Sequence, residues 1–312
     1  MTVVRRSAVV FAYSDVGVRG LACVLASGID VSLVVTHADS VAENIWFDSV
    51  AAQASLHDLD VITPATSNAD AVVERVRHLA PDFIFSFYYR DLLGAALLEI
   101  PRLGAFNLHG SLLPRYRGRA PVNWAVLNGE SETGASLHRM VLQADAGALL
   151  DQQSVPILPN DTAIMVHGKI CAATDIVLMR TLPRLCEGGA QETPLDLARG
   201  SYFGRRTPEQ GRIDWSQPAA TIHNLIRAVA PPYPGAFFDV AGLRICITSS
   251  FYRNESAPGT VPRLYVQHSR IWADCCDGQR ILLLQLQIDG ISVDADQFVA
   301  RCGAQLLIPV VE

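Results

Sequence analysis

Apolar and polar positions alternate in blocks through the first half of the chain. Ala8-Val9-Val10-Phe11-Ala12 is a short apolar run bounded by turn residues, the pattern of a buried strand. Val16 to Ala26 repeats apolar residues at helical spacing, and Gly28 is placed to end that helix. Val31-Ser32-Leu33-Val34-Val35 predicts a second strand and Val61-Ile62 a weak third. Ala69 to Leu79 reads as a helix stopped by Pro81, and Phe83-Ile84-Phe85-Ser86-Phe87 as a strand rich in aromatic and β-branched residues. A helix over Leu92 to Leu98 and a strand over Gly104 to Leu108 follow. This alternation predicts an α/β domain, a parallel-rich sheet with helices on both faces. Ligands of such sheets bind beyond the carboxyl ends of the strands.

The second half reads differently. Asp161 to Leu185 is the longest helical pattern, with Asn160 or Asp161 to cap it and Gly188-Gly189 to end it. The polar, irregular stretch from Ala190 to Thr207 reads as a linker. A helix over Ala219 to Val229 closes at Pro231-Pro232-Tyr233-Pro234-Gly235. Strands are expected over Arg244 to Thr248, Leu264 to Val266, Ile281 to Leu286 and Gln305 to Val311, which suggests a small barrel. The expected organisation is residues 1–189 as one domain, 190–207 as linker and 208–312 as a barrel-like domain.

Composition narrows the classes. The chain has 312 residues, half of them hydrophobic, enough for two cores. Mean hydropathy is +0.23, yet no apolar run approaches the roughly 20 residues of a membrane span. Arg5-Arg6 before an apolar run faintly mimics a signal peptide, but Tyr13-Ser14-Asp15 interrupts it, so it reads as a first strand. The formal net charge of −6 disfavours a protein that mainly holds nucleic acid. The seven cysteines are scattered and not spaced as metal pairs, so reduced thiols and a cytoplasmic location are expected. The first turn, Tyr13 to Gly20, lacks a GxGxxG fingerprint, and no Walker-type loop occurs. The eight histidines form no ligand pattern, and no metal site is expected.

Candidate chemistry concentrates between Phe106 and Ala148. Asn107 and His109 are two apart at the end of an apolar run, so on a strand they share a face. An amide there can donate to a developing oxyanion, and an imidazole can serve as general base or acid. Asp145 sits among small apolar residues and needs a partner; facing His109 it would favour the imidazolium. Each also has a plain structural reading: a strand-ending amide, a structural histidine, an Asx-turn before Gly147. Arg115, Arg117 and Arg119 form a basic loop suited to phosphate or carboxylate, or simply solvated. Arg205 and Arg206 invite the same two readings, and Tyr233 either stacks on a base or packs its turn.

The string FNLHGSLLPRYRGRAPVNWAVLNGE (Phe106 to Glu130), followed by TGASLHRMVLQADAGALL (Thr133 to Leu150), resembles the folate-dependent formyltransferases. Asn107, His109, the Ser111-Leu112-Leu113-Pro114 loop and Asp145 match that family's signature, and the likeness runs over nearly the whole chain. The resemblance implies a Rossmann-like formyltransferase domain followed by a small OB-like β-barrel, 10-formyltetrahydrofolate as co-substrate, and catalysis by Asn107, His109 and Asp145. It implies folate contacts at Asp91, Leu92, Leu93, Arg119 and Val141, Leu142, Gln143, Ala144 and Asp145. Within the family, Phe85 to Arg90, Phe203 to Pro208, Arg227 to Ala230 and Pro234 to Phe237 are most similar to the formyltransferase half of the bifunctional lipid A aminoarabinose (polymyxin-resistance) enzyme. That implies UDP-4-amino-4-deoxy-L-arabinose as acceptor, with Arg205 and Arg206 as candidates for its diphosphate and Tyr233 for its base. The chain ends at Glu312 without a decarboxylase half, so a separate decarboxylase partner is expected. Another dTDP- or GDP-linked amino sugar, methionyl-tRNA, or a non-catalytic binding role stay open. Oligomeric state is not readable.

Overall fold

The computed structural model describes residues 5–40 and 43–309. The chain divides into two compact units that interleave in sequence. One comprises Met1–Pro121, Thr133–Val155 and Gly168–Phe203, the other Val122–Glu132, Pro156–His167 and Gly204–Glu312. The expected organisation had each domain as one continuous stretch. In the structure, two segments from within residues 1–189 belong with the second unit.

In chain order the elements are β1 (Ser7–Ala12), α1 (Ser14–Ala26), β2 (Asp30–Val35), α2 (Val50–Ser55), β3 (Val61–Ile62), α3 (Asp70–Leu79), β4 (Phe83–Phe87), α4 (Ala95–Leu98) and β5 (Gly104–His109). Then come β6 (Arg117–Gly118), α5 (Pro121–Leu127), β7 (Glu132–Arg139), β8 (Leu149–Pro156), α6 (Ala163–Cys186) and β9 (Tyr202–Phe203). The main sheet of the first unit has the order β3-β2-β1-β4-β5-β7-β8. Its strands from β3 to β5 pair in parallel, and β7 joins β5 antiparallel. This is the parallel-rich, Rossmann-like sheet expected. Phe83, Ile84, Phe85 and Phe87 of β4 are fully buried, as a central strand covered on both faces requires. Gly28, at φ +79°, follows the C-cap of α1.

The second unit continues with α7 (Ala219–Ala228), β10 (Ala236–Val240), β11 (Leu243–Ser256), β12 (Arg263–Gln267), β13 (Arg270–Asp274), β14 (Gln279–Ile288), β15 (Ile291–Val293), α8 (Ala295–Cys302) and β16 (Gln305–Leu307). Its antiparallel sheet runs β10-β11-β14-β13-β12-β16, with β15 also pairing β14. The core packs Ile222 and Ile226 of α7 and Phe298 of α8 with Ile245, Ile247, Ile281 and Leu286 of the sheet. It is the curled, barrel-like domain expected.

Several elements differ from expectation. Residues Leu92 to Gly94 are not helical: the Gly94 N–H donates to Oδ1 of Asn68 at 2.7 Å, and α4 begins only at Ala95. The strands β7, β8, β10 and β13 had no strong apolar alternation and were not expected. The predicted final strand is β16, which ends at Leu307; Val310 and Val311 lie outside the described residues, as do Met1 to Val4. Asn160 does not spend its side chain on α6. Its Oδ1 accepts from the Tyr252 N–H at 2.9 Å and its Nδ2 donates to the Tyr252 carbonyl at 3.3 Å. Among the described residues, no helix is long and apolar enough to cross a membrane.

Candidate active site

Strand β5 delivers Asn107 and His109 to one carboxylate, as their spacing predicts. Nδ2 of Asn107 lies 3.4 Å from Oδ1 of Asp145, and Nδ1 of His109 lies 3.5 Å from the same oxygen. A third nitrogen, Nε2 of His138, stands 3.4 Å away. His138 faces Asn107 directly in the β5–β7 register. The other carboxylate oxygen, Oδ2, accepts the Gly118 N–H at 2.8 Å. One carboxylate thus gathers three side-chain nitrogens and a backbone amide.

Asp145 reaches this position from a tight turn. Its own φ is +51°, and the Ala146 N–H donates to the Gln143 carbonyl at 3.3 Å. A Cβ at Gly147 would lie 1.9 Å from the Arg139 carbonyl oxygen, so the turn closes against the end of β7 only with glycine there.

Ring orientation follows from donor and acceptor chemistry. Nε2 of His109 sits 2.7 Å from the Tyr116 carbonyl, which only accepts, so Nε2 carries a proton. Its Nδ1 faces a carboxylate, and a hydrogen on each nitrogen satisfies both neighbours. His138 donates from Nδ1 to the Arg139 carbonyl at 2.9 Å, which leaves Nε2 to accept from the Asn107 amide at 3.1 Å. The Asn107 atom between His138 and Asp145 must be the nitrogen, because a carboxylate offers no hydrogen. Burial alone would push the Asp145 carboxyl up. The charge on the facing His109 and the hydrogen bond from the Gly118 amide outweigh it and hold the group well below the usual carboxylate range. The arrangement combines an amide donor, an imidazole acid–base and an ionised carboxylate. It suits acyl transfer to an amine and offers no activated nucleophile.

Asp91 accepts the Ser67 N–H at 3.1 Å. Leu92 is 65% exposed, whereas Leu93 is buried in the core with Leu97. Val141 and Leu142 are 43% and 71% exposed, beside exposed Gln143 and half-buried Ala144. Arg119 donates to the Arg90 carbonyl at 3.2 Å. Arg205, Arg206 and Tyr233 belong to the second unit. Arg205 is exposed. Arg206 lies over the Trp124 ring at 4.7 Å and donates to the Gln210 carbonyl at 3.1 Å. Its other terminal nitrogen, Nη1, is buried without a hydrogen-bond partner among the described residues. Tyr233 packs against the core of the second unit, with its phenol pushed up by burial and hydrogen-bonded to Asn123. A cleft of about 400 Å³ lined by Leu150, Thr181, Arg184 and Gly189 to Gln191 holds no acid–base pair.

His138 was not foreseen from the sequence. Its only local signal is that it lies within the Thr133 to Leu150 segment that carries the resemblance.

Residues 19–182 match the formyl transferase family, and residues 205–303 match the formyl transferase C-terminal domain family. The chain belongs to the formyl transferase family and is a formyl-transferring enzyme. Among solved structures it is similar to an N-formyltransferase from Helicobacter canadensis in complex with folinic acid and dTDP-3-aminofucose. The TM-score is 0.73 at 21% identity, over 89% of this chain and 98% of that one. It is also similar to WlaRD, a sugar 3N-formyl transferase crystallised with dTDP and 5-N-formyl-THF (TM-score 0.71, 20% identity, 89% of this chain and 97% of that one). HypX from Aquifex aeolicus with tetrahydrofolic acid matches at TM-score 0.64 and 16% identity, over 95% of this chain and 47% of that one.

Proposed function

We propose that this enzyme transfers the formyl group of 10-formyltetrahydrofolate to the amino group of a nucleotide-linked sugar. The observation that carries this reading is the convergence of Asn107, His109 and His138 on Oδ1 of Asp145, within a chain that matches both formyl transferase domains. The exposed apolar side chains Leu92, Val141 and Leu142 fit a pteridine ring, which needs flat apolar surface and a few polar contacts. Asp91, Arg119 and the 141–145 backbone supply such contacts.

The donor supplies an activated formyl carbon. The sugar amine attacks that carbon as a neutral nucleophile, a C–N bond forms, and the carbonyl electrons move onto oxygen. Asn107 gives an amide hydrogen to that oxygen, worth about 3 kcal/mol by comparison with other oxyanion donors. Of its two amide hydrogens the more weakly held is the one it donates to Oδ1 of Asp145, at 3.4 Å, against 3.1 Å to His138. His109 gives its Nδ1 hydrogen to the departing folate nitrogen and takes the hydrogen of the attacking amine in its place, since Nε2 is held by the Tyr116 carbonyl. The C–N bond to folate then breaks. Asp145 keeps its charge and holds the ring in place.

Arg206 is the better candidate of the two arginines for the diphosphate, because it carries a buried, unpartnered donor. The likeness of segments such as Phe85 to Arg90 favours UDP-4-amino-4-deoxy-L-arabinose as the acceptor, and with it lipid A modification. A second reading, a dTDP-linked amino sugar, is favoured by the neighbours that bind dTDP-3-aminofucose or dTDP. Formyl transfer measured in parallel on the UDP-pentose, dTDP-3-amino and dTDP-4-amino sugars and methionyl-tRNA decides among them. Turnover of methionyl-tRNA alone, or of none, overturns the proposal. Alanine at Arg205 and Arg206 is expected to raise KM for the sugar nucleotide and leave KM for folate unchanged; an unchanged sugar KM removes them from the site.

A further inference from the structure

The backbone groups that hold His109 and the outer oxygen of Asp145 come from one short run. The Tyr116 carbonyl accepts from Nε2 of His109 at 2.7 Å, and the Gly118 N–H donates to Asp145 at 2.8 Å. That run is itself held from the segment Ser201 to Phe203. The Tyr116 N–H donates to Oγ of Ser201 at 2.8 Å, the Arg117 N–H to the Ser201 carbonyl at 2.9 Å, and the Arg119 N–H to the Phe203 carbonyl at 2.9 Å. The Phe203 and Tyr116 rings stack with centroids 5.1 Å apart at 11°. Strands β6 and β9 form a parallel two-stranded sheet of their own. Gly118 adopts φ +96°, and a Cβ there would lie 2.2 Å from the Phe203 carbonyl oxygen. The two strands meet only because residue 118 has no side chain.

We infer that Ser201 and Phe203 are positioning residues for formyl transfer, acting through Tyr116 and Gly118 on His109 and Asp145. The inference rests on the proposed function for its kinetic consequence, but not for its geometry. Neither residue touches the reacting atoms. A two-stranded sheet is marginal by itself, so the hydroxyl of Ser201 and the ring of Phe203 decide how firmly Tyr116 to Gly118 is held. Loss of that hold leaves His109 and Asp145 in place on their own elements but frees the ring and carboxylate to rotate.

The test uses the full chain with 10-formyltetrahydrofolate and whichever nucleotide amino sugar it turns over. Ser201→Ala is expected to lower kcat about tenfold, the effect of one lost hydrogen bond. Phe203→Ala is expected to lower it on the order of a hundredfold, as for a displaced catalytic group. KM for the folate donor stays at its wild-type value in both, and Phe203→Tyr, which keeps the ring, restores most of the rate. A second readout needs no substrate. In ¹⁵N NMR the Nε2 proton of His109 exchanges slowly in the wild type and faster in both alanine variants. Variants that melt earlier but keep the wild-type kcat and His109 signal overturn the inference, since they reveal a merely structural role. If Phe203→Ala does not fold, Ser201→Ala and its His109 signal carry the test. A wild type that turns over none of the sugars, with a His109 proton that Ser201→Ala still loosens, defeats the substrate reading and supports the positioning.

Discussion

His138 accepts a hydrogen from Asn107 across the β5–β7 register, Nε2 to Nδ2, at 3.1 Å. The tautomer that permits this is fixed on the far side of the ring by the Arg139 carbonyl. The contact holds the Asn107 amide with its nitrogen toward Asp145, so the group proposed to donate to the oxyanion is oriented before any substrate arrives. His138→Leu is expected to lower kcat about tenfold, as for one lost hydrogen bond. His138→Gln keeps an acceptor oxygen near the Nε2 position and is expected to recover much of the rate. Steady-state kinetics of the two variants check this; equal losses would show that the acceptor is irrelevant.

Asp145→Asn replaces an acceptor that faces three nitrogens with a group that is half donor. Formyl transfer in a single turnover is expected to fall on the order of a thousandfold, in line with losses at comparable acid–base groups. The carboxyl is held below its ordinary value of 3.8 in the folded protein. The unfolded chain therefore binds this proton first on acidification. Its stabilising effect is complete above about pH 4 and is lost as pH falls further. Urea melts between pH 5 and pH 3 are expected to show a shallower acid loss in Asp145→Asn than in the wild type.

In the second unit, His223 is buried between Ser250, whose Oγ lies 2.8 Å from Nδ1, and the Pro159 carbonyl, 3.1 Å from Nε2. Burial pushes this imidazole down from 6.5 to about 4. The unfolded state takes up the proton near pH 6.5, so stability is full above that pH and declines toward pH 4. The decline amounts to about 3 kcal/mol, because a proton held tenfold more tightly by the unfolded chain costs the fold about 1.4 kcal/mol. Denaturant titrations at pH 7 and pH 4.5 are expected to show this difference in the wild type. His223→Gln is expected to be less stable at pH 7 but to lack the decline; a wild-type slope in the variant would assign the effect elsewhere.

Gly118→Ala places a methyl against the Phe203 carbonyl in a backbone region that side chains avoid. A loss of about 2 kcal/mol is expected, together with a fall in kcat because the Gly118 amide no longer reaches Asp145. Thermal melting and kinetics of one purified variant test both.

The sequence carried the site as far as local geometry reaches. Asn107 and His109 were legible because strand periodicity puts alternate residues on one face, and Asp145 because a carboxylate among small apolar residues asks for a partner. His138 was not, because its meaning depends on pairing with a residue 31 positions away and β7 has no apolar alternation to announce it. The role of Gly118 depends on φ and on β9, neither of which composition reveals. Leu93 shows the same limit: beside exposed Leu92, it packs into the core. The parallel strands were legible because full burial leaves uninterrupted apolar runs. Strand β8, half-buried along most of its length, leaves no such trace.

Asp145 and the three side chains gathered at it all come from the first compact unit, whereas Arg205, Arg206 and Tyr233 come from the second. On the proposed reading, bond making and acceptor choice are therefore written in separate parts of the molecule. Descent with change of sugar can proceed through substitutions in one part while the other stays fixed. Chimeras that exchange the second unit between relatives would carry over the acceptor and keep the chemistry.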